Sequence, residues 1–238
     1  MKIDRIFYVC FTGSPDRAAK MERVAAKASA TLGAPAERIW QFPSPWNRWV
    51  LDRTPHIGFL DDHPGCFGAG IGQYRAIRTA YELGSQGALL MEDDCRFRKG
   101  ADLAAALAAA PQDASVLMLD HFADRGVKPG NGWRRADKSA SSACYALSRG
   151  GMEALLRAYE APATCEGCKA LRILRNCDHY TDADLLPELR IYLAFPNLAV
   201  QTPCPGESNC GRNHMIGKYV RMGIDLKDYE GWEVTSDE

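Results

Sequence analysis

The chain has 238 residues, of which 46% are hydrophobic and 25% charged, with a formal net charge of −1. That composition suits a soluble globular chain with one large domain or a core plus a small appendage, and its near-neutral charge gives no footprint for nucleic acid or an anionic membrane as partner. No apolar run approaches the roughly 20 residues that span a bilayer, and Asp4 and Arg5 beside the first apolar residues make the start a strand rather than a secretory signal, so a cytoplasmic location is expected.

Ile3–Phe11 is apolar with little alternation, as in a strand buried on both faces. Ser14, Pro15 and Asp16 supply a cap and a first-turn proline for a helix running to about Leu32, where Gly33 ends it. "ERIWQF" reads as a second strand. "PSPWNRWVLDRTPHIGFLDDHPG" is a loop long enough to be either functional or disordered, and its tryptophans argue against disorder. From Gly68 the spacing turns helical, with Ile71, Tyr74, Ile77, Ala80 and Tyr81 on one face, until Gly84 and Gly87 lead into the strand "ALLM". "ADLAAALAAA" reads as a surface helix, "ASVLMLDH" as a buried strand ending in Asp120 and His121, "SACYALSRGGMEALLRAY" as strand, turn and helix, and "ELRIYLAFPNLAVQ" as one or two late strands. Strands alternating with helices predict an α/β fold, a mostly parallel sheet with helices on both faces. Residues 1–201 are assigned to this domain and 202–238 to a C-terminal extension packed on it.

Nine cysteines are many for a cytosolic chain of this size. Cys10 and Cys144 lie in apolar runs, where buried free thiols are common. Cys165 and Cys168 form a C-x-x-C, with Cys177, His179, Cys204, Cys210 and His214 downstream. This set is open to a structural zinc site, a local disulfide in an oxidising compartment, or coincidence.

The strand "ALLM" ends in Glu92-Asp93-Asp94. Neighbouring carboxylates repel unless something positive sits among them. Ligands of open α/β sheets bind beyond the carboxyl ends of the strands, and Mg²⁺ or Mn²⁺ takes carboxylate oxygens together with substrate phosphates. The pattern therefore suits a metal-bridged diphosphate. A solvated acidic turn at a helix N-terminus would explain the same residues.

The run "GAGIGQYRAIRTAYELGSQGALLMEDD" resembles the central signature of glycosyltransferase family 25, the lipopolysaccharide-type galactosyltransferases, which are similar to the collagen galactosyltransferases. "IDRIFYVCFTGSPDRAAKME", "SACYALSRGGMEALL" and "NCDHYTDADL…IYLAFPNLAVQ" resemble three further blocks of that family, in order. The resemblance implies a GT-A-like, Rossmann-type fold. It also implies metal-dependent transfer of a hexose, galactose or glucose, from a UDP-sugar to a glycan or other hydroxyl acceptor with inversion, as in polysaccharide biosynthesis. On it, Asp94 is the first metal ligand (Mn²⁺ or Mg²⁺), Asp93 a second ligand or, with Glu92, a contact to the nucleotide, and Asp178 the base, with His179 on the metal or a phosphate. An aspartate at 178 would equally cap the helix "HYTDADLL". Asp120 is the second candidate base, with His121 as its companion ligand. Arg17, at a helix start beyond the first strand, suits a phosphate, or a surface pair with Asp16 or Glu22.

The chain departs from the family pattern at Gly72-Gln73, where the family has Ser-His, and at Cys10 and Gly13. The loop from Trp40 to Pro64 and the tail after Gln201 match nothing in that pattern. Gly68, Gly70 and Gly72 precede a helix without a lysine, so they are no P-loop, and close helix–sheet packing accounts for them. Trp46, Trp49 and Trp133, with Arg134 and Arg135, lie in polar segments and would either stack on an acceptor sugar or pack internally. A non-catalytic nucleotide-sugar or glycan-binding relative is the alternative reading, and a zinc-containing interaction module a more distant one.

Overall fold

Successive residues of the first strand point to opposite faces of the sheet, and in this chain both sets are buried. Phe7 and Val9 enter one core cluster, and Ile6, Tyr8 and Cys10 another. The computed structural model describes residues 1–13, 15–41, 64–122, 130–136, 141, 143–160, 189–202 and 212–230. The elements, in chain order, are β1 (Arg5–Phe11), α1 (Pro15–Leu32), β2 (Ala36–Gln41), α2 (Pro64–Glu82), β3 (Gly87–Glu92), β4 (Cys95–Phe97), α3 (Leu103–Ala108), β5 (Val116–Met118), β6 (Gly132–Ala136), β7 (Cys144–Ser148), α4 (Arg149–Glu160), β8 (Ile191–Phe195), β9 (Ala199–Gln201) and α5 (Arg212–Arg221). A short 3₁₀ turn at Leu226–Asp228 follows.

Seven of these strands form one sheet in the order β2-β1-β3-β7-β5-β8-β6. β2, β1, β3, β5 and β8 run the same way, and β7 and β6 run against them. The α/β class and the mostly parallel sheet are as the sequence predicts. The antiparallel insertion of β7 between β3 and β5 was not expected. β4 and β9 pair in a second, two-stranded sheet of three residues each.

Helices cover both faces. Ala76, Ile77 and Ala80 of α2 and Met152, Leu155 and Leu156 of α4 pack on one side, with Phe7, Leu90 and Tyr145. Ala18, Met21, Ala25 and Ala28 of α1 and Leu103 and Leu107 of α3 pack on the other, with Ile6, Leu89 and Cys144. A third cluster joins Phe122 and Val200 to Tyr219, Leu226 and Tyr229 of the C-terminal segment.

Three expectations change. α2 begins at Pro64, inside the expected loop, with proline at the first helical position where its missing N–H costs nothing. "GWRRA" is an edge strand, not a polar loop, and Trp133 is half-buried with its indole N–H donating to the Ala106 carbonyl at 2.9 Å. That contact is internal packing rather than a sugar platform. The tail contains a helix, α5, that the sequence reading did not anticipate.

The Gly150-Gly151 pair at the start of α4 gives a test of this packing. A Cβ at Gly150 meets nothing within 4 Å, whereas one at Gly151 runs into the Ser115 carbonyl oxygen. That oxygen is held by the Ser148 N–H at 3.0 Å and cannot retreat freely. Gly150→Ala should leave the unfolding free energy unchanged or raise it by up to ~1 kcal/mol through helix propensity. Gly151→Ala should lower stability by ~1–3 kcal/mol, as overpacking does. Urea titration of the two variants checks this.

Candidate functional site

From β1 the chain passes through α1 to β2 on one side of it, and β3 lies on the other side. α1 and α2 cover opposite faces, so the order reverses between β1 and β3. A crevice opens at such a switch point, beyond the carboxyl ends of the strands, and ligands of α/β sheets bind there. The turn after β3 is Asp93-Asp94, and the residues after β1 lead into the start of α1.

Asp93 and Asp94 are both buried, 5% and 7% exposed. The Asp93 carboxylate accepts the Phe11 N–H at 2.9 Å and is paired with the Arg17 guanidinium. The same guanidinium nitrogen lies 3.5 Å from Asp94 Oδ2. Arg17 thus bridges β1, α1 and the acidic turn, rather than pairing with Asp16 or Glu22. Asp94 Oδ2 also accepts from the Gln201 side-chain amide at 2.9 Å, and the Asp94 carbonyl accepts from the Thr202 N–H and hydroxyl, each at 2.8 Å. Asp94 Oδ1 is buried without a hydrogen-bond partner. Burial pushes the Asp94 carboxyl up to about 6, against the pull of Arg17 and with a further push from Asp93.

Glu92 faces the other side of the turn. Its carboxylate accepts from the Gln73 side-chain amide at 3.0 Å, and the Gln73 carbonyl oxygen accepts from the Tyr145 hydroxyl at 2.6 Å. Gln73 is fully buried. It stands where the resembled family has histidine, and its side chain here links α2 to β3 and β7. The preceding Gly72 packs against β1, where a Cβ would lie 2.5 Å from Val9 Cγ1. Close helix–sheet contact is therefore the reason for that glycine.

Asp120, just past β5, has no solvent exposure. Its carboxylate accepts from the Ser141 hydroxyl, from the Tyr219 hydroxyl at 2.8 Å and from the Asn197 side-chain amide at 3.3 Å. Burial pushes it up to about 7, which these donors oppose and the Asp94 charge reinforces. His121 is also fully buried. Its Nε2 lies 2.8 Å from the Ala194 carbonyl, which can only accept, so the proton sits on Nε2. Burial lowers the ring to about 4, so it is neutral, and its Nδ1 has no partner.

The structure thus brings together Arg17, Glu92, Asp93 and Asp94 at the switch point, with Asp120 close enough to Asp94 to feel its charge. Asp178 and His179 lie outside the described residues, as do Trp46, Trp49, Cys165, Cys168, Cys177, Cys204 and Cys210; the side chain of His214 is not described. Sequence reasoning marked Gln73 only as a departure from the family's histidine, and it gave Gln201 and Tyr219 no role in the site. Gln201 closes the last family-like block, a signal that was present. Tyr219 sits in the tail, where nothing in the sequence marks it.

Asp94 suits a hard divalent cation, since it presents a buried, unpartnered carboxylate oxygen. Among the described residues no group of three or more His, Cys, Asp or Glu side chains is placed to hold a metal ion. Cys10, Cys95 and Cys144 are buried free thiols. No helix among the described residues is long and apolar enough to cross a membrane.

No family model matches the chain, and no curated protein matches it. Among solved structures, a glycosyltransferase involved in the glycosylation of the major capsid of PBCV-1 is similar over 89% of this chain and 98% of its own, at 13% identity and a TM-score of 0.48. A likeness at that level says nothing of substrate or chemistry.

The two raised carboxyls set a pH dependence. The folded protein binds the Asp94 and Asp120 protons more tightly than the unfolded chain does, so their contribution to stability is complete below about pH 4 and is lost as pH rises through about 6 and 7. Melting temperature should fall across that interval. Asp94→Asn should flatten the fall around pH 6, which a melting series from pH 5 to 8 measures.

Proposed function

We propose that the chain is a glycosyltransferase that moves a hexose from a UDP-sugar to a hydroxyl acceptor, with Mn²⁺ or Mg²⁺ as its cofactor. The observation that carries this reading is the unpartnered Asp94 oxygen, buried beside Arg17 at the switch point of the sheet. It stands at the end of the strand whose sequence resembles the family signature.

In this reading Asp94 holds the cation, and the rest of its coordination comes from substrate phosphate and water, as is common for Mg²⁺ and Mn²⁺. When bound, the cation supplies Lewis-acid stabilisation of the leaving diphosphate. Gln201 holds the second Asp94 oxygen and leaves the first without a protein partner. Arg17 lowers the cost of two adjacent carboxylates and adds positive potential where a diphosphate arrives. Glu92, steadied by Gln73, is assigned to the nucleotide. An inverting transfer needs a carboxylate to take the proton from the acceptor hydroxyl. Asp178 is assigned that role and His179 a phosphate or the metal. Asp120, with three donors and no exposure, is the less suitable base of the two.

A non-catalytic nucleotide-binding role is favoured by one observation: Gln73, in the place of the family's histidine, bonds internally at both ends of its amide.

Calorimetric titration of UDP with and without Mn²⁺, into the wild type and Asp94→Asn, tests the proposal. Binding should require Mn²⁺ and weaken at least tenfold in the variant, as loss of a ligand does. No binding under either condition would sink the UDP-donor assignment. Metal-dependent binding with neither hydrolysis nor transfer from UDP-galactose or UDP-glucose would select the non-catalytic reading.

A further inference from the structure

Residues after 201 lie outside every block that resembles the family, yet one of them reaches the acids. Tyr219 on α5 is fully buried, its ring 5.0 Å from that of Phe122. Its hydroxyl donates to Asp120 Oδ1 at 2.8 Å and accepts the Gln201 backbone N–H at 2.7 Å. Gln201 ends β9, and its register opposite Cys95 of β4 sets it beside Asp94. From there its side-chain amide donates to Asp94 Oδ2, while the next residue, Thr202, holds the Asp94 carbonyl twice.

We infer that Tyr219 is a positioning residue for the acidic site: anchored on Asp120, it fixes Gln201, which in turn fixes the orientation of the Asp94 carboxylate. This rests on the reading of Asp94 as the cation-binding group. Gln201 at 2.9 Å and Arg17 at 3.5 Å both lie on Asp94 Oδ2 and leave Oδ1 without a partner, so releasing Gln201 would let the carboxylate turn. Asp120 is suited to be the anchor because Ser141 and Asn197 hold it independently of Tyr219. Groups that orient a metal ligand from behind commonly set affinity without touching the ion.

A matched control lies in the same segment. Tyr229 is also buried, and its hydroxyl donates to the Asn197 carbonyl at 2.8 Å, with no bond to Gln201 or Asp94. Tyr219→Phe and Tyr229→Phe each remove one buried hydroxyl and keep the ring. Titration of Mn²⁺ alone, followed by electron paramagnetic resonance, should show affinity falling about tenfold in Tyr219→Phe and changing less than about twofold in Tyr229→Phe. Amide exchange without metal should show the Thr202 N–H, bonded to Asp94, exchanging faster in Tyr219→Phe only. Equal effects of the two variants on both readouts, or no effect of Tyr219→Phe on either, would overturn the inference. If the wild type binds Mn²⁺ neither alone nor with UDP present, the proposed function fails, and Thr202 exchange still decides whether Tyr219 holds Asp94. If Tyr219→Phe does not fold, Gln201→Met removes the amide and keeps the backbone N–H; wild-type Mn²⁺ affinity in that variant would overturn the inference as well.

Discussion

Two carboxylates on adjacent residues, both buried, cannot share a turn without a positive partner, and the Arg17 guanidinium supplies it. A planar, permanently charged group can serve both acids from one position, which a lysine would do less well. The pairing does more than cancel charge. It docks the start of α1 onto the end of β3, and with the Phe11 N–H it commits Asp93 to internal bonds. Asp94 is left with one oxygen uncommitted. The Asp94 carboxyl stays raised in spite of Arg17, chiefly because burial disfavours its charged form.

The acids gathered here have separate environments, and those environments sort their possible roles. Glu92 is steadied by an amide, Asp93 by a guanidinium and a backbone N–H, and Asp94 by an amide on one oxygen only. Asp120 is enclosed by three donors. One side-chain chemistry is thus held in four different ways. Sequence spacing cannot separate these, because the distinguishing partners come from elements as far as 107 residues away.

Much of the sheet was legible because its signals are local. β1 and β3 are apolar on both faces, as strands covered by helices on each side must be. Pro15 and Asp16 open α1, and Gly33 follows its last residue. The direction of β7 was not legible: "CYALS" is buried on both faces and reads the same whichever way it runs. β4 and β9 are too short to carry a period. The strand-end acids stood out in the sequence, but their pairing with Arg17, the bond of Gln73 to Glu92 and that of Tyr219 to Asp120 are long-range contacts that no window of sequence contains.

The bond from Tyr219 to Asp120 spans 99 positions of chain. Contacts at such separation close large loops, and their entropic cost is met only once much of the fold is in place. The β1-β2 and β1-β3 pairings need no residue beyond position 92. A folding chain can therefore pair three of its seven strands before the carboxylate of Asp94 has the partners that fix its direction. Separation along the chain thus divides the local pairing that starts the sheet from the distant bonds that set the direction of one carboxylate.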